Sequence, residues 1–114
     1  MRVLSVKFVL FVTKTERAVA FYRDVLGFTP VMENRYWSEV VLGGVTLGLH
    51  GGGPDGYRKS GLSIQVDDLE AACEAVVANG GVLRTPPQSR PNEPLALAHV
   101  IDPEGNGFDL VMLI

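Results

Sequence analysis

Apolar and polar positions along this chain follow two rhythms, one of period two and one of period 3.6, and they change over at glycines and prolines. Residues 3–12 form a Val- and Phe-rich run with one charge in its middle, Lys7, which predicts a strand buried on at least one face. Ala18, Phe21, Tyr22 and Val25 recur at i, i+3, i+4 and i+7, the spacing of one helical face, and this assigns Phe21 and Tyr22 to the core. Thr13 with Glu16 makes a capping box ahead of that helix, and Gly27 offers the left-handed residue that ends it. Extended segments follow at 28–32, 37–42 and 45–49, the last two joined as a hairpin by Gly43-Gly44.

Residues 51–60 hold too many glycines for an element interior and predict a linker, with Gly51-Gly52-Gly53 as its hinge. The pattern then restarts. A strand at 61–66 leads to a second capping box, Asp67 with Glu70, and to a helix whose apolar face carries Leu69, Ala72, Cys73, Val76 and Val77. Gly80 and Gly81 stop it. After residues 82–84 a proline-rich stretch, 86–94, predicts a loop or an irregular edge. Residues 95–101 and 108–113 close the chain as a hairpin around Asp102-Pro103-Glu104-Gly105-Asn106. Val12 and Val66, Glu16 and Glu70, Ala18 and Ala72, and Gly27 and Gly81 all share one separation, 54 residues, so one strand-helix-three-strand unit is indicated twice.

In the last strand Asp109 is a lone carboxylate among apolar residues. Burying such a group without compensation is costly, so it faces water in a cavity, meets a cation or pairs with a neighbour.

Composition narrows the partners. At 114 residues the chain is long enough for one real core, and its net charge of -3, with Lys and Arg dispersed, offers no basic stripe for nucleic acid. One cysteine excludes an internal disulfide, and the N-terminal apolar run at 8–12 is too short for a membrane span or a signal-peptide core, so a cytoplasmic setting without membrane contact is expected. Cys73, on a helix's apolar face, predicts a buried inert thiol. The triple glycine lacks the Lys-Ser/Thr of a phosphate loop, and Ser60, Ser63 and Ser89 lack a nucleophile-elbow context.

The doubled unit, with Phe21-Tyr22-Arg23-Asp24-Val25-Leu26-Gly27-Phe28 on its first helix and Asp102-Pro103-Glu104-Gly105-Asn106 before its last strand, resembles the vicinal oxygen chelate superfamily. That group holds glyoxalase I, extradiol dioxygenases, fosfomycin-modifying enzymes and bleomycin-resistance proteins. The resemblance covers nearly the whole chain and implies an α+β fold of two tandem βαβββ modules with cupped mixed β-sheets, module one at about 1–52 and module two at about 61–114. It also implies a cavity, commonly closed in a homodimer, and in metal-dependent members a His or Glu ligand on the first and last strand of each module. Carried over one by one, those places fall on Lys7, near Gly61, on or near Gly48, and on Asp109. Lysine ammonium has no lone pair and glycine no ligand atom, so the resemblance implies at most one of four ligands here. Lys7 and Asp109 are then expected to face one cavity, pairing with each other or anchoring a polar ligand.

His50 shares the strand parity of Gly48 and is the best substitute ligand. A relocated site would need His50, His99 and Asp109, with Glu39 as a further donor. Phe11, Tyr36, Trp37 and Tyr57 are the aromatics that no helical stripe explains, and they suit a wall for a flat or apolar ligand, hydrophobic closure or a dimer seam. Two functions follow. One is a metal-free, cofactor-free small-molecule binding protein of the bleomycin-resistance kind, with a site of Lys7, Phe11, Trp37, Thr46, Gly48, His50, Ser63, Gln65 and Asp109. The other is a glyoxalase- or dioxygenase-like enzyme with a relocated divalent metal, or a metal-free one using His50 or Asp109 as general base.

Overall fold

The computed structural model describes residues 1–114, and the chain divides into two compact units, Met1–Asp55 and Gly56–Ile114. Each unit is one strand, one helix and three further strands. Unit 1 runs β1 (Phe8–Phe11), α1 (Thr15–Leu26), β2 (Thr29–Met32), β3 (Trp37–Leu42) and β4 (Val45–His50). Unit 2 runs β5 (Arg58–Gln65), α2 (Leu69–Ala78), β6 (Val82–Ser89), β7 (Leu95–Ile101) and β8 (Asn106–Leu113). The sheets share one topology, β1-β4-β3-β2 and β5-β8-β7-β6, with the first strand parallel to the last and the rest antiparallel. No helix is long and apolar enough to cross a membrane.

Strand alternation sorts each sheet into a helix-covered face and a second face. In unit 1, Leu10, Val12, Val40, Leu47 and Leu49 are buried, together with Ala18, Phe21 and Tyr22 of α1. Tyr22 meets Phe21 and Phe28 edge-on, with ring centroids at 5.2 and 5.9 Å. In unit 2, Leu69, Cys73 and Val76 of α2 are buried, as are Ala98, Val100, Phe108 and Leu110 of β7 and β8. Each fully buried Leu or Phe side chain contributes about 1.5–3 kcal/mol relative to exposure.

Local signals account for most boundaries. Gly27, at φ +78°, ends α1 by donating to Arg23 O while Phe28 N donates to Tyr22 O, the paired closure of a left-handed cap. The first capping box does not form: Lys14 is the N-cap, without a side-chain cap bond, and the Thr13 hydroxyl donates instead to Asp55 Oδ1 at 3.1 Å. The second cap is displaced by one residue, Asp68 rather than Asp67 accepting from Ala71 N. Residues 3–7 precede β1 rather than extending it.

Two expectations about loops are corrected. Gly51–Gly53 is anchored rather than hinged, because Gly51 N donates to Tyr36 O, Gly53 N donates to Val12 O, and a Cβ at Gly51 would meet Arg35 O at 2.1 Å. The linker is also shorter than 51–60, since β5 begins at Arg58, and a bulge at Gly61, φ +81°, absorbs its register shift. The proline-rich stretch is an irregular edge: β6 includes Pro86 and Pro87 between the pairs Thr85↔His99 and Gln88↔Leu97, on the outermost strand of its sheet.

Candidate functional site

In unit 1 the second face of the sheet gathers six of the nine sequence-predicted residues. Lys7 precedes β1 with the parity of Phe11, Trp37 and Glu39 lie on β3, and Thr46, Gly48 and His50 lie on β4, with Trp37↔His50, Glu39↔Gly48 and Phe11↔His50 in register. Asn34 sets up this end of β3, its Oδ1 accepting from the backbone of Tyr36 and Trp37. His50 lies between two rings, 5.2 Å from Phe11 and 6.2 Å from Trp37. Its Nδ1 donates to Gly51 O at 2.9 Å, leaving Nε2 as the acceptor of the neutral ring.

Gly48 explains how Trp37 fits. A Cβ there would fall 2.3 Å from the indole, so only glycine lets the ring lie on the strand. The indole Nε1–H donates to Glu39 Oε2 at 2.7 Å, and Lys7 Nζ approaches the same oxygen at 3.5 Å. The indole hydrogen bond, followed by the Lys7 charge, holds the Glu39 carboxyl below the usual glutamate range, against the opposing effect of burial. Lys7 and Asp109 were expected to face one cavity, pairing with each other or anchoring a polar ligand; the carboxylate that the Lys7 ammonium meets is Glu39. To meet Glu39 on β3 from the start of β1, the Lys7 side chain crosses the intervening β4.

In unit 2 the second face carries Ser63, Gln65 and Asp109, with Ser63↔Asp109 and Gln65↔Val111 in register. Asp109 does have a partner. His99 stands opposite it on β7, Nδ1 to Oδ1 at 2.7 Å, and His99 Nε2 lies 2.9 Å from the Tyr57 hydroxyl. Tyr57 lies over Gly107, where a Cβ would meet its ring at 2.6 Å. Arg84 stacks over that ring, its guanidinium 4.0 Å from the centroid, because a bulge between Leu83 and Thr85 turns it onto this face. Sequence reasoning missed Arg84 and the pairing of His99. The latter was accessible, since residues 99 and 109 are equidistant from the centre of the Asp102–Asn106 turn.

That turn holds the hairpin in register. Buried Asp102 accepts through Oδ1 from Glu104 N and Asn106 N, and Gly105 adopts φ +91° against Gly56 O.

The relocated metal site is not assembled within either unit. No three His, Cys, Asp or Glu side chains group to hold an ion: unit 1 offers Glu39 and His50, and unit 2 offers His99 and Asp109. Asp109 Oδ1 and both nitrogens of His99 are engaged in the hydrogen bonds just described. A cavity of about 560 Å³ between α2 and β6, lined by Glu70, Cys73, Val77, Leu83 and Pro87, borders none of the predicted residues. Cys73 is buried as expected, and burial, followed by the Glu70 charge, pushes its thiol up.

Two four-stranded mixed sheets, each crossed by one helix and built on a repeated βαβββ order, define the vicinal oxygen chelate architecture. Residues 5–110 match the family described as Glyoxalase/Bleomycin resistance protein/Dioxygenase superfamily, and the chain belongs to it. Among similar solved structures, a glyoxalase/bleomycin resistance protein/dioxygenase family enzyme from Burkholderia phytofirmans PsJN is 20% identical, with 93% of this chain and 95% of that one covered and a TM-score of 0.78. A fosfomycin resistance protein from Listeria monocytogenes is 14% identical over 100% and 96%, with a TM-score of 0.80. A lactoylglutathione lyase from Agrobacterium tumefaciens is 18% identical over 98% and 95%, with a TM-score of 0.73. At these identities the likeness is one of fold. Comparison with curated proteins gives no match.

Proposed function

We propose that the protein binds a small, partly hydrophobic molecule on the second face of its unit 1 sheet without a metal ion, as bleomycin-resistance proteins of its superfamily do. The observation that carries this is the ring row Phe11, His50 and Trp37, which no helix covers and which ends at the Lys7–Glu39 pair. Three rings offer contact area to a flat or apolar ligand, while Lys7 and the His50 Nε2 acceptor orient its polar groups. Glu39, tied to the indole and the ammonium, positions both. The protein works as a homodimer, in keeping with its superfamily, and sedimentation as a monomer would contradict this.

A screen of aromatic, cationic and acidic small molecules, read by Trp37 fluorescence, is expected to give a saturable response that Phe11→Ala weakens. No response from any class would remove the support. The competing reading is an enzyme with a relocated metal site; one similar fold carries the name of an enzyme, lactoylglutathione lyase. It predicts stoichiometric iron, manganese, nickel or zinc after purification from metal-rich medium, lost in His50→Ala, and that result would overturn the binding reading.

A further inference from the structure

We propose that unit 2 carries a second site, in which the Tyr57 hydroxyl is an activated nucleophile toward small carboxylic esters. The inference stands apart from ligand binding on unit 1 and uses none of its residues. A carboxylate only accepts hydrogen bonds, so the 2.7 Å contact with Asp109 places a hydrogen on His99 Nδ1. The neutral ring then presents its Nε2 lone pair, and the Tyr57 hydroxyl donates to it at 2.9 Å. Nucleophile, base and orienting carboxylate thus follow one another at hydrogen-bond distance, the arrangement that activates hydroxyl nucleophiles on unrelated folds.

The base in the middle is the most sheltered of the three, the His99 side chain being 13% exposed, whereas Tyr57 is an exposed residue, so the tyrosine is the member that a substrate reaches from solvent. Gly107 makes room for the ring and the β6 bulge brings Arg84 onto it. The Arg84 cation favours an ester whose acyl group is anionic, and it stabilises the negative charge that builds up as the ester carbonyl is attacked.

The chemistry closes with water as the only co-reactant. Tyr57 Oη bonds to the ester carbonyl carbon while its proton passes to His99 Nε2. The carbon–oxygen bond to the leaving group breaks, and that oxygen takes the proton from His99. Water then attacks the acyl-tyrosine, its proton passes to His99, and the departing Tyr57 oxygen recovers it, releasing a carboxylic acid. Asp109 is a positioning residue that fixes the His99 tautomer.

Tyr36 provides an internal control. It is exposed and also lies beneath an arginine, Arg35, 4.8 Å from its ring, but its hydroxyl accepts from Arg35 and has no imidazole in that place. The test is brief exposure of the whole chain to p-nitrophenyl acetate, with acetyl groups located by tandem mass spectrometry. Tyr57 should be acetylated about a hundredfold faster than Tyr36, the lower end of what a positioned acid–base group contributes. Release of p-nitrophenol should continue past one equivalent and be lost in Tyr57→Phe. His99→Gln should bring Tyr57 to the rate of Tyr36, and Asp109→Asn should do so while shifting the His99 ring ¹⁵N resonances away from the Nδ1–H tautomer. Equal labelling of the two tyrosines in the unmodified protein, or an acetyl-Tyr57 that water does not release, overturns the proposal even where a variant fails to fold.

Discussion

His99 and Asp109 face each other across β7 and β8, and their side chains close to 2.7 Å. The pairing resolves the cost of a carboxylate in a half-buried strand, because the neighbouring strand supplies a directional donor at the same level. Asp109→Asn should therefore destabilise the fold by about 1 kcal/mol, a modest loss because the carboxylate is partly solvated. Urea denaturation measures it, and an unchanged midpoint would contradict the pairing.

Glu39 sets an acid-sensitive contact in unit 1. Its carboxyl titrates lower in the folded chain than in the unfolded one, so its contribution to stability is complete above the ordinary glutamate value and is lost as pH falls through the lower folded value. The chain has one tryptophan, so the emission of Trp37 should report this transition as its Nε1–H bond to Glu39 breaks. In Glu39→Gln that acid step should vanish; its persistence would assign it to another group.

Gly48→Ala tests the seat of the indole. The added methyl displaces the ring and with it the hydrogen bond to Glu39, and overpacking of this kind costs about 1–3 kcal/mol. Red-shifted Trp37 emission and lost ligand response are expected, with far-ultraviolet circular dichroism unchanged. Retention of the native emission would show that the ring does not lie on β4.

Cys73 should be silent to thiol reagents in the native protein and react once in denaturant, since burial and the Glu70 charge both disfavour its thiolate. Rapid native labelling would mean that α2 opens locally far more often than its packing implies.

Much of the architecture was readable from periodicity and turn chemistry. The apolar faces of α1 and α2, the stop at Gly27, the hairpin across Gly43-Gly44 and the reversal at Asp102–Asn106 are local, and local signals lie within a few residues of one another. Strand parity likewise tied Phe11 to Lys7 and His50 to Gly48, once the family resemblance had pointed to Lys7 and Gly48. Partnerships were harder. Lys7 could be assigned a face but not a partner, because choosing Glu39 over Asp109 requires the order β1-β4-β3. Tyr57 and His99 are 42 residues apart, and Arg84 reaches them through a bulge that no period announces.

The two prolines of β6 leave a mark beyond their own strand. An outermost strand exposes a row of amide donors and carbonyl acceptors, an invitation for another extended segment to dock in register, and Pro86-Pro87 interrupts that row, because proline has no amide hydrogen to give. That sheet is thereby terminated on its β6 side, which guards the molecule against growing into fibres by edge-to-edge recruitment.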